Sequence, residues 1–273
     1  MGSACVLLDF RKQHVYTCCP PVFEHKRSFP PKGTIEMILT RDILFIHIPK
    51  TAGVSCTDFL CRNLRQPIAY FSIQASFGKK KYRSAQIFPG FNHETLEEAY
   101  SAREKILDLC GIDVNLVEKV LTVVRHPYDL EASIYNFFRN AHRNALQHLS
   151  DSPNLVDRIE LAKGSFKEFV AGSGYFRQDN MSPDPQQLYR VEDYFLVDGQ
   201  VPPNVHILKF EDIGETLPNA VRPYLSPEFS GGFPHLNPSN GKRKKPVTEM
   251  DDEVKALIYE KHRWLFDHGY YQP

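Results

Sequence analysis

The chain has 273 residues, and 33 Lys plus Arg balance 33 Asp plus Glu, so no net field draws it toward nucleic acid or an anionic membrane. That length buries one substantial α/β core, and a single domain is the expectation. No apolar run approaches a bilayer span, and the first residues lack the charged-then-apolar pattern of a secretion signal.

Residues 1–33 read as an irregular arm packed on the domain, broken by Cys18-Cys19-Pro20-Pro21 and Pro30-Pro31; the domain itself spans 34–273. A strand over Thr34–Thr40 precedes a buried one, Ile43–Ile48, and a helix follows over Val54–Leu64. Ile68–Ile73 is the next strand, and Phe77–Arg83 is a basic loop, read as a solvated tip or as a guide for an anionic acceptor. Helical patterns cover Glu94–Leu109 and Val114–Lys119. Val120–Val124 is a second buried strand, followed from Pro127 by Leu130, Ile134, Phe137 and Phe138 at helical spacing. Residues 139–165 read as polar helix and loop, Val205–Phe210 as a strand, and Glu249–Phe266 as a final helix holding the one tryptophan, Trp264. Strands alternating with helices predict an α/β fold with a central, mainly parallel sheet flanked by helices. The six cysteines form no Cys-x-x-Cys pair, and they read as reduced structural thiols of a reducing compartment.

Two turns carry the chemistry. The first, His47-Ile-Pro-Lys-Thr-Ala-Gly-Val-Ser55, leaves a buried strand and enters a helix. Free N–H groups, the positive end of the helix dipole and an ammonium converge there, which makes an anion site. It is not the common nucleotide loop Gly-x-x-x-x-Gly-Lys-Ser/Thr, because Lys50 precedes the glycine, Gly53. The second is Arg125-His-Pro-Tyr-Asp129, with Ser133 two turns along the next helix. A guanidinium fork plus a serine suits a terminal phosphate. In a parallel sheet both turns fall at the carboxyl ends of strands, where ligands bind.

Together the two turns resemble the signatures of sulfotransferases that use 3′-phosphoadenosine 5′-phosphosulfate (PAPS), in particular the carbohydrate and heparan-sulfate 2-O branch. His47–Gly53 is similar to that branch's 5′-phosphosulfate loop, and Val124–Asp129 through Ser133 and Tyr135 to its 3′-phosphate motif. Weaker echoes are Asn92–Thr95, Pro185–Tyr189, Phe210–Asp212, His235–Ser239 and Asp267–Tyr270, so the likeness spans roughly residues 40–271. Two positions depart from the pattern: Val54, where the family has a hydroxyl, and Leu130, where it often has arginine.

The resemblance implies a P-loop-like three-layer fold and transfer of a sulfuryl group from PAPS to a hydroxyl of a small-molecule or saccharide acceptor, leaving PAP. Lys50 would meet charge building on the leaving phosphate, and Lys50, Thr51, Ala52, Gly53, Val54 and Ser55 would hold the 5′-phosphate. Arg125 and Ser133 would read the 3′-phosphate. His93, ahead of a helix where the resemblance places a base, is the catalytic candidate for accepting the hydroxyl proton, with Glu94 as fallback. His47 reads as a core or supporting residue, and Lys242–Lys245 either folds over the nucleotide or is a solvated run. No metal is expected, because the sulfuryl group carries less negative charge than a terminal phosphoryl. Nor is a nucleic-acid partner. The location expected is cytoplasmic, with the Golgi lumen the alternative if a membrane anchor has been removed. The competing functions are a PAP- or PAPS-binding relative without transfer activity, and an ATP-using kinase, which the lysine order disfavours.

Overall fold

The computed structural model describes residues 36–72, 82, 84–89, 95–141, 153–173, 190–229, 231–234 and 250–273. The arm over 1–33, His93, Glu94 and the run Lys242–Lys245 lie outside the described residues, as does most of the basic loop.

The core is a six-stranded mixed sheet. Strands β1 (Glu36–Leu39), β2 (Ile43–Ile46), β3 (Ile68–Ser72), β4 (Ala85–Pro89), β5 (Lys119–Val124) and β6 (Val205–Lys209) stand in the order β4-β3-β1-β2-β5-β6. β1 pairs antiparallel with both of its neighbours, while β3–β4, β2–β5 and β5–β6 are parallel. The expected parallel sheet therefore carries one reversed strand inside it. The cause is local. Thr40 Oγ1 accepts from the backbone N–H groups of Asp42 and Ile43, closing a tight turn that folds β1 back on β2.

Successive strand residues feed opposite faces, as the pleat requires. Leu44, Ile46, Val120 and Val124 enter one apolar cluster, and Ile43, Phe45, Leu121 and Val123 enter the other. Helix α1 (Gly53–Asn63) covers the second face with Cys56, Phe59 and Leu60. The first face is covered by α2 (Leu96–Ser101), α3 (Arg103–Cys110), α4 (Pro127–Ala141), α5 (Pro153–Leu161) and α6 (Phe166–Gly172). Because both faces of β2 and β5 are buried, β2 reads as an unbroken apolar run and β5, from Val120 on, as one interrupted only by Thr122. Each fully buried Phe, Ile or Leu here contributes roughly 1.5–3 kcal/mol. Cys56 and Cys61 are buried in this core, and burial pushes the Cys56 thiol up, out of the reactive range. No helix among the described residues is long and apolar enough to cross a membrane.

Several elements differ from expectation. The helix expected over 94–109 is two, α2 and α3, broken at Ala102; Thr95 and Glu98 cap the first reciprocally. Val114–Leu116 is a single 3-10 turn, and Lys119 already belongs to β5, because its N–H is drawn to the carbonyl of Asp42 at 3.0 Å. The final helix is α8 (Asp252–Lys261) and α9 (Arg263–Asp267), separated at His262. β4, α6 and α7 (Ile213–Val221) had no counterpart in the pattern reading. Tyr82, assigned to a basic tip, is buried edge-on against Tyr70.

Candidate functional site

β2 and β5 are adjacent and parallel, with Ile46 opposite Thr122, so their exit turns emerge side by side at one end of the sheet. The Thr122 hydroxyl donates to the Ile46 carbonyl at 3.0 Å and ties the two exits together. The turns touch: Arg125 Nη1 donates to the carbonyl of Lys50 at 3.4 Å.

The first turn is an unusual piece of backbone. Lys50 and Ala52 both lie in the left-handed region, at φ 66° and 69°, although neither is glycine. Such residues cost free energy and persist only where the surroundings hold them. Thr51 is one support: it is buried, and its hydroxyl donates to the Ile48 carbonyl at 2.7 Å. Ser55 and Cys56 close the first helical bonds onto the Ala52 carbonyl, at 2.9 and 3.0 Å. The N–H groups of Thr51, Ala52, Gly53 and Val54 meet no acceptor among the described residues. Of the amides expected at the site, that of Ser55 is therefore closed and these four are open. The Lys50 ammonium lies 4.6 Å over the ring of Phe137 on α4.

The second turn is built from side chains. Arg125 is half-buried over the ring of Phe210, 4.3 Å from its centroid. Its Nε is buried with no partner, and no described carboxylate forms an ion pair with it. Burial pulls its pKa down, and Asp129 and Glu211, acting through space, pull the other way. The backbone around it is pinned by Glu211. One carboxylate oxygen accepts the His126 N–H at 2.9 Å, and the other accepts the Tyr271 hydroxyl at 2.8 Å. The Tyr271 hydroxyl also reaches the Val124 carbonyl at 3.2 Å. That clasp pushes the Tyr271 pKa far up, by burial first and then by the Glu211 carboxylate.

Ser133 is half-buried on α4, one turn after Asp129 and one turn before Phe137. Helical spacing puts the three on one stripe, with Asp129 acting on Arg125 at one end and Phe137 beneath Lys50 at the other. The stripe thus sets Ser133 between the two cations. The departing residues Val54 and Leu130 are half-buried and buried, respectively.

Pattern reading missed Phe137, Glu211 and Tyr271. The sequence marks Phe137 only as one of four apolar residues at helical spacing, and only the Phe210–Asp212 and Asp267–Tyr270 echoes hint at the clasp. Glu131 was also missed. It is buried inside α4 and meets His262 Nε2 at 2.7 Å and Lys261 Nζ at 3.0 Å. Burial opposes its charge, but Lys261 and His262 outweigh that and hold its pKa down to about 2. A cavity of about 20 Å³ adjoins this cluster and the backs of Ile48 and Pro49, with room for about one water.

Two cations, four open amides at a helix start and an intervening serine can receive an anion with more than one phosphate-like group. No protein-family model matches the chain, and no curated protein matches it.

Proposed function

We propose that the chain is a PAPS-dependent sulfotransferase with a P-loop-like three-layer fold, acting on a hydroxyl of a small-molecule or saccharide acceptor. The observation that carries this reading is Arg125: a half-buried guanidinium with an unpartnered buried Nε, beside the turn that bears Lys50. A half-buried cation with no carboxylate partner among the described residues is costly unless a ligand completes it. The residues present fit PAPS. Arg125 and Ser133 would take the 3′-phosphate, and the amides of Thr51–Val54 with Lys50 would take the 5′ end.

PAPS supplies the sulfuryl group. Lys50 offers a point charge where negative charge develops on the leaving phosphate, preorganised by the left-handed backbone beneath it. The Ser55 hydroxyl, buried at the start of α1, and the α1 amides would hold the phosphate in place. His93 is proposed as the base that takes the acceptor's proton.

Titration calorimetry with PAP and with adenosine 5′-phosphosulfate, which lacks the 3′-phosphate, tests the reading. PAP should bind about ten- to a hundredfold tighter, the worth of charge-assisted bonds to Arg125. Equal affinities would remove Arg125 and Ser133 from the role. Tight PAP binding without transfer of labelled sulfate to any of a panel of hydroxyl acceptors would favour the inactive binding relative.

A further inference from the structure

Gly53 is the first residue of α1, and the ring of His47 lies directly on it. A methyl group added at Gly53 would fall inside the imidazole, against Nε2, Cε1 and Cδ2. At Gly53, then, glycine is required by close approach and not by an unusual φ. The imidazole is itself held: it is 7% exposed and stacks on Phe45 with ring centroids 6.4 Å apart and planes 17° apart. Phe45 is anchored in the cluster beneath α1, with Phe59 and Leu60. A continuous line of contact runs from the core through Phe45 and His47 to the first helical residue of the loop. The two strained residues, Lys50 and Ala52, lie between His47 and Gly53 in sequence, so this contact closes a short ring of chain around them.

We propose that His47 is a positioning residue for this loop: its ring is the seat on which Gly53 rests, and the seat holds the Thr51–Val54 amides ready for an anion. A seat of this kind resolves the energetic problem posed by the loop. Two left-handed non-glycine residues each cost free energy that the surroundings must offset. The Thr51 hydroxyl bond supports the loop from one side, and the flat ring under Gly53 supports it from the other. A planar side chain suits the place because only a flat face lets the Gly53 Cα approach so closely. The role rests on reading the loop as an anion site, but the lock itself is a property of the free protein.

A double-variant cycle decides it, read by PAP titration and by amide hydrogen exchange of residues 50–56 without ligand. Gly53→Ala should weaken PAP about tenfold or more and speed exchange across the loop. His47→Ala should do so severalfold. Combined, the new methyl occupies the room the imidazole vacates, so the double variant should bind PAP about tenfold tighter than Gly53→Ala alone. Folding of the double variant where Gly53→Ala fails to fold would be the same rescue. His47→Phe, keeping a flat ring, should recover most of what His47→Ala loses. Additive losses, or normal affinity and exchange in His47→Ala, would overturn the proposal. If the wild-type chain binds no PAP, the sulfotransferase reading falls, while the exchange arm still decides the lock.

Discussion

The turn after β2 and the turn after β5 leave neighbouring strands in the same direction, yet they are made in different ways. In the first, the working groups are backbone amides and one ammonium, and shape is the critical property: left-handed φ at Lys50 and Ala52, and a glycine pressed on a ring. In the second, the working group is a side chain, and what matters is charge and who shares it. Arg125 has no ion pair among the described residues, while Glu211 is taken up by the His126 N–H and the Tyr271 hydroxyl. A carboxylate can sit near an arginine without neutralising it, provided that other donors occupy its oxygens. The two cations should accordingly differ in sensitivity: Lys50 governs rate, Arg125 ground-state affinity.

The largest effect should come from Lys50→Ala. Turnover is expected to fall by at least about a hundredfold, as when one preorganised electrostatic donor is removed, with PAP affinity changing less. Lys50→Arg should recover little, since a fork does not replace a point charge on a tight turn. Steady-state kinetics with labelled PAPS measures both, and near-normal turnover in Lys50→Ala would make the two turns equivalent.

Next in size, Arg125→Gln should weaken PAP by about ten- to a hundredfold while adenosine 5′-phosphosulfate is nearly unaffected. A loss shared equally by both nucleotides would mean that Arg125 supports the fold of the turn and does not read the 3′-phosphate.

The first turn should also reveal itself through pH. Burial, and then the nearby Lys50 ammonium, push the His47 pKa down from 6.5 to about 4. The unfolded chain therefore takes up a proton that the folded one refuses as pH drops from about 6.5 to 4. Stability attributable to His47 is complete above about pH 6.5 and falls through that window, at up to about 1.4 kcal/mol per pH unit. His47→Phe should flatten that part of a denaturant-unfolding series. An unchanged slope would mean that the imidazole is not held neutral on Gly53.

The smallest effect is assigned to the clasp. Tyr271→Phe removes the hydroxyl from Glu211 and frees one carboxylate oxygen to turn toward Arg125. PAP affinity should fall by about fivefold, the worth of roughly 1 kcal/mol. Glu211→Gln in the same background should restore part of it, because the competing charge is gone. No change in the first variant would show that the arginine's freedom does not depend on the clasp.

Local pattern was enough to read much of this. Ile43–Ile48 and Val120–Val124 announce themselves as buried strands because both faces of the sheet are covered, although β2 ends at Ile46. The residues after them, Lys50 and Arg125, were named from a lysine, a glycine and an arginine at strand exits. Edges and weak segments were not legible. β4 is a short edge strand with little alternation, and α7 carries Gly214 and Pro218, which argue against a helix until Leu217 and Val221 find the core.

Which residues gather at the sheet's carboxyl end is legible in the chain alone, since strand, turn and helix are written in short-range hydrophobic and glycine patterns. How those residues are held is set by long-range packing. The reversed β1, the ring of His47 under Gly53, Phe137 beneath Lys50, and Tyr271 reaching 147 residues back to Val124 are all contacts between separate elements. Their energies depend on distances that no local pattern encodes, because packing and buried hydrogen bonds are made only once the sheet and its covering helices are assembled.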